Sequence, residues 1–101
     1  MGKDAPFIVG TLRLSLHLPQ VHSLKEKRQV LKSLKDNIRN RFNVSIAELG
    51  QLDKWQVADM GIAMCGNDQA NIDAVFNKLL NTIRSYPRAD LTVFEMEFSP
   101  Q

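Results

Sequence analysis

Lys25, Arg28, Lys32, Lys35 and Arg39 follow one another at intervals of three, four, three and four residues. On a helix that spacing stacks all five on one flank, within about 80° of each other, along a ridge about 21 Å long. The chemistry open to such a row of cations is the neutralisation of a row of phosphates. Each phosphate contacted adds close to one unit to the salt dependence of binding. Lys27 and Arg41 are read as flanking the ridge. The segment from Leu24 to Phe42 holds seven basic and two acidic residues, a net +5, against six basic and nine acidic elsewhere, a net −3.

The plain alternative is a solvated helix flank, since Lys and Arg are good helix formers and snorkel over core edges. Two features speak for a functional surface instead. A solvated helix mixes signs to gain pairs four residues apart, and here only Asp36 can serve Lys32 in that way. Lys25, Lys27 and Arg28 also crowd the first turns, where the helix dipole is already positive. Breaking local rules in this way is characteristic of a binding surface.

Other chemistries find little support. The chain has two histidines, His17 and His22, and one cysteine, Cys65, with no metal-ligand spacing among them. His22 beside Ser23 is not a catalytic pair, because Ser23 is needed as a helix cap. No glycine-rich phosphate loop is present. No catalytic residue, metal or cofactor is expected, and the protein is not expected to be an enzyme. Cys65, in the apolar run GIAMCG, reads as a buried, inert thiol. Trp55, the one tryptophan, either packs across a sheet edge or helix end or makes a partner contact.

The elements that position these residues are legible in the hydrophobic pattern. Phe7 to Leu18 alternates as a strand with one buried face, and Pro19 ends it. Ser23 opens a helix through the capping box SLKE, whose buried stripe is Leu24, Leu31, Leu34, Ile38 and Phe42. VSIAEL reads as a second strand, GQLDKW as a turn-rich link, and QVADMGIAMCG as a third strand. GND starts a second amphipathic helix, which Pro87 stops, and LTVFEMEF is a last strand. The order β-α-β-β-α-β in one domain predicts an α+β fold: a ferredoxin-like sandwich with a four-stranded antiparallel sheet and two helices on one face. Residues 1–6 are read as a loose leader and residues 7–101 as the domain. No segment is long and apolar enough to span a membrane, no signal peptide is evident, and the lone cysteine suits a reducing compartment, so a cytoplasmic protein is expected.

The segments SLKEKRQVLKSLKDNIRNRFNVSIAE, DKWQ and GIAMCGND resemble the YlxP-like family, a bacterial domain of unknown function. The resemblance runs from about Phe7 to Phe98. Its signature falls on Ser23, Leu24, Lys25, Glu26, Lys27 and Arg28, with Trp55 and Gln56 later. It implies the ferredoxin-like fold and, from genes that tend to lie beside those of translation initiation and ribosome maturation factors, a place near the small ribosomal subunit or its RNA. It assigns no catalytic residues.

The resulting expectation is a non-enzymatic RNA- or ribosome-associated protein. Its nucleic-acid contacts would be Lys25, Lys27, Arg28, Lys32, Lys35 and Arg39, with Trp55 as an interaction residue. The sheet's open face lacks the paired aromatics that an RNA-recognition domain uses for stacking. The alternative is a homo-oligomeric interaction or small-ligand module, a homodimer through that face. Phe7 and Val9 would then join either Leu91 and Val93 or Phe94 and Met96 in an apolar patch.

Overall fold

The computed structural model describes residues 5–101, so the first four residues of the expected leader lie outside the described residues. The elements are β1 (Ile8–His17), α1 (Leu24–Arg41), β2 (Ser45–Gly50), β3 (Val57–Gly66), α2 (Gln69–Arg84) and β4 (Asp90–Pro100). The four strands form one antiparallel sheet in the order β2-β3-β1-β4. Each helix crosses one face and steps over a strand, which is the ferredoxin-like α+β arrangement.

The core lies between that face and the helices. Leu12, Leu14 and Leu16 of β1 and Ala58, Met60 and Ile62 of β3 point into it. They meet Val30, Leu31, Leu34 and Ile38 of α1 and Ile72, Phe76, Leu79, Leu80 and Ile83 of α2. Alternation of period two in the strands and spacing of three and four in the helices bring these side chains together. Phe98 of β4 stacks on Phe76 with ring centroids 6.3 Å apart.

Both helices begin on side-chain caps. Ser23 Oγ accepts from the Glu26 amide at 3.1 Å, and Asp68 Oδ1 accepts from the Ala70 amide at 3.0 Å. Glu26 reaches back to the amide of His22, one residue before the cap, at 3.4 Å. Each cap satisfies amides that the helix itself leaves without a partner.

Strand register decides what the open face carries. Leu14 pairs with Phe94, Leu12 with Met96 and Leu16 with Leu91. Directly opposed residues share a face, so Phe94, Met96 and Leu91 lie on the helix-covered side. Of the four β4 residues considered for an apolar patch, only Val93, opposite Ser15, remains on the open face. Arg13 with Glu95 and Thr11 with Glu97 interrupt the space between Val93 and Val9. Cys65, opposite Val9, also points to the open face and is exposed. The expectation of a buried thiol is therefore corrected, because apolar neighbours in a strand say nothing about which face a residue takes.

Helix α2 packs tightly over β1 at Gly10. A Cβ there would stand 2.5 Å from Ile72 Cγ2 and 3.0 Å from Phe76 Cε2. Gly10→Ala is therefore expected to push α2 off β1 and to cost about 1–3 kcal/mol as overpacking. Urea denaturation should show a lower midpoint with an unchanged slope.

Candidate nucleic-acid interface

The helix α1 runs unbroken through all five ridge positions, so the spacing of three and four becomes a physical row. Lys25, Arg28, Lys32 and Arg39 are exposed and Lys35 is half-buried. Two of the five are engaged. Lys32 donates to Asp36 at 2.8 Å, and Arg39 Nη2 donates to the Ile46 carbonyl at 3.2 Å. Among the described residues, Lys25, Arg28 and Lys35 form no ion pair and no side-chain hydrogen bond within the protein. Ile46 belongs to β2, an edge strand, so its carbonyl is open to a donor from outside the sheet. The ridge thus lies along the β2 edge of the molecule.

The field of the ridge is visible at Asp36. The hydrogen bond from Lys32 holds its carboxyl below the usual aspartate range, and the charges of Lys32, Arg39 and Lys35 add to the effect. The side chain is exposed, so the interaction is screened by solvent. It still registers three ridge cations acting on one point.

Lys27 departs from the sequence expectation. It was placed among the nucleic-acid contacts, yet it is only 2% exposed and is the one buried charged residue among those described. Its position explains this. Leu24, Lys27, Leu31, Leu34 and Ile38 follow the same three-and-four spacing as the ridge, one flank away, so Lys27 sits in the core-facing stripe. Its ammonium donates to the Gln51 carbonyl at 2.6 Å and the Lys54 carbonyl at 2.7 Å. Glu48 Oε2 lies 3.0 Å from it. That carboxylate oxygen is buried and off the hydrogen-bond direction, so the contact is an ion pair without an aligned hydrogen bond. Two short charge-assisted bonds and a counter-charge offset the several kcal/mol that burying an ammonium costs. Lys27 is thereby withdrawn from solvent and from any polyanion.

The carbonyls it holds belong to the β2–β3 loop. Gln51 takes a left-handed backbone with φ 60°, and the Lys54 amide donates back to the Gln51 carbonyl at 3.1 Å. Gln56 fastens the far end of the loop. Its Nε2 donates to the Val21 carbonyl at 3.1 Å and the Pro19 carbonyl at 3.3 Å, and its own carbonyl accepts from the Leu18 amide at 2.9 Å. The loop is therefore tied both to α1 and to the segment leading into it. On it stands Trp55, 50% exposed. Half of its surface is covered by the protein and half is open to solvent. Leu52, 62% exposed, shares the loop. Neither Gln56 nor Lys27 was assigned a clamping role from sequence. The signal for Lys27 was its place in the apolar stripe, whereas nothing local marks Gln56.

A second concavity lies elsewhere. A shallow depression of about 520 Å³ occupies the open sheet face, floored by Ala47, Gly61 and Ala63 and flanked by Arg13, Glu95 and Glu97. Two carboxylates beside one guanidinium make it a poor seat for a polyanion. Among the described residues, no group of three His, Cys, Asp or Glu side chains could hold a metal ion. Among the described residues, no helix is long and apolar enough to cross a membrane.

Comparison with known proteins places these features in a family. Residues 9–96 match the family described as protein of unknown function DUF503. The uncharacterized protein YlxP of Bacillus subtilis (strain 168) is 38% identical over 76 residues, spanning 75% of this chain and 83% of that protein. The chain therefore belongs to the DUF503 family. Among solved structures, the de novo designed protein Foldit4 is similar with a TM-score of 0.49 at 12% identity, over 94% of this chain and 96% of that one.

Two outcomes are expected. Lys27→Met leaves two carbonyls and the Glu48 carboxylate without their cation and should cost about 3–5 kcal/mol by urea denaturation. Glu48→Gln, which removes only the off-axis partner, should cost less. In an NMR titration, the Asp36 carboxyl should ionise below the ordinary aspartate range, and Lys32→Ala should move it back up. The stabilising contribution of this pair is present above the titration of an unfolded aspartate and is lost as pH falls through the lower folded value.

Proposed function

We propose that this protein binds RNA, on or near the small ribosomal subunit, through the exposed flank of α1. The observation that carries the reading is a helix-long row of five cations in which Lys25, Arg28 and Lys35 have no partner within the described protein and Lys32 has only Asp36. A row placed for structural reasons would be paired across or along the helix, as Lys27 is. Lys25 and Arg28 stand in the first turns of α1 against the positive end of the helix dipole, and a bound phosphate relieves that repulsion.

The contacts are to the backbone of the nucleic acid. A helix flank presenting ammonium and guanidinium groups positions a polyanion and reads its shape more than its sequence. Lys25, Arg28, Lys32, Lys35 and Arg39 carry these contacts, and Arg41 extends the row past its end. Lys27 is not among them. The genomic neighbourhood implied by the family resemblance is what directs the reading to ribosomal RNA over other polyanions.

The test is binding to small-subunit ribosomal particles and to their naked RNA across a salt series. The unaltered protein should lose affinity steeply as salt rises, with a log–log slope of about −3 to −4.5 for four or five phosphates at 0.7–0.9 each. The triple variant K25E/R28E/K32E should fold normally and lose binding, since none of the three side chains is buried. An unchanged affinity in that variant would overturn the reading.

A further inference from the structure

We propose that Trp55 is a stacking platform for one unpaired RNA base at the end of the α1 ridge. This deepens the RNA-binding reading above and rests on it. The geometry begins with Lys27. It sits in the chain between Lys25 and Arg28 of the ridge, while its ammonium holds the carbonyls of Gln51 and Lys54. The loop that presents Trp55 is therefore fastened to the very turn on which the exposed ridge begins. A strand whose phosphates follow the ridge toward its N-terminal end runs onto that loop.

The loop is built to hold its shape. Lys27 on one side, Gln56 on the other and the internal bond between Lys54 and Gln51 fix the backbone from Gln51 to Gln56. An indole displayed on a fixed backbone loses little further freedom when it binds. It stands in an open recess of about 430 Å³ with Asp53, Lys54, Gln56 and Val57.

The chemistry of the surroundings selects the partner. The centre of a protein–protein interface is depleted of lysine, whereas here the aromatic is next to Lys54 and at the end of a row of cations. Cations for phosphates with an aromatic for a base is the combination by which single strands are held. The Gln56 amide nitrogen already donates to two carbonyls, so that donor is not free to read a base edge. Recognition is by stacking, tolerant of sequence.

The chain has one tryptophan, so its fluorescence reports Trp55 alone. The experiment compares two RNA probes with the intact protein across the same salt series: a short blunt duplex, and the same duplex with a single-stranded purine overhang. The overhang probe should bind about 5- to 150-fold tighter, the range that one stacked base contributes, and should quench the fluorescence. Trp55→Ala should bring its affinity down to that of the blunt duplex with the salt slope unchanged, and Trp55→Phe should keep part of the preference.

Equal binding of both probes with no quenching, or an overhang preference that survives Trp55→Ala, overturns the stacking role. If binding then remains steep in salt and sensitive to K25E/R28E/K32E, the ridge reading stands without it. If neither probe binds at low salt, both readings fall. Should Trp55→Ala weaken binding only to intact small-subunit particles and not to the overhang RNA, Trp55 contacts protein and the stacking role is likewise overturned.

Discussion

A single buried ammonium organises the end of this molecule where α1 begins. Lys27 occupies a position in the apolar stripe of α1 where leucine would be expected, and a lone charge there would be untenable. It is tolerated because the β2–β3 loop bends two carbonyls toward it and β2 supplies Glu48. The dependence is mutual. Without the ammonium, the loop has no reason to turn its carbonyls inward, and Gln51 loses part of what sustains its left-handed backbone. An apolar residue at position 27 could fill the space but could not specify the loop.

That arrangement changes how the basic helix is understood. From composition alone, Lys25, Lys27 and Arg28 are three equivalent cations. In the fold they divide into one that builds the protein and two left over on its surface. The separation makes the leftover charges more informative, because the need for a buried anchor no longer accounts for them. Among the described residues, the ridge is opposed only by Asp36, whose lowered pKa registers Lys32, Arg39 and Lys35 together. Several signature residues shared with the YlxP-like pattern also turn out to have structural duties: Ser23 and Glu26 cap the helix, Lys27 anchors the loop, and Gln56 clamps its far end.

The fold was largely legible in the sequence because its two periodicities are clean. Leu12, Leu14 and Leu16 alternate, while Ile72, Phe76, Leu79 and Ile83 recur at helical spacing. Ser23 and Pro19 mark boundaries by local chemistry. What was not legible depends on register and on distant partners. Whether Phe94 or Val93 faces outward is settled by the pairing of β4 with β1, which a strand that alternates apolar residues on both faces does not reveal. The burial of Lys27 depends on carbonyls 24 and 27 residues away. The role of Gln56 depends on Val21, 35 residues away. The exposed ridge itself was legible, since helical spacing alone places its members.

In the proposed complex, RNA lies along the β2-side flank of α1 and reaches the β2–β3 loop, leaving the sheet's open face bare. The most direct measurement is mapping of backbone amide shifts by NMR as small-subunit ribosomal RNA fragments are added. Perturbations should line the flank from Lys25 to Arg39 and include Leu52 to Trp55, while Thr11, Arg13 and Ala63 stay silent. Perturbations centred on the open sheet face, or none at concentrations where binding is saturated, would contradict it.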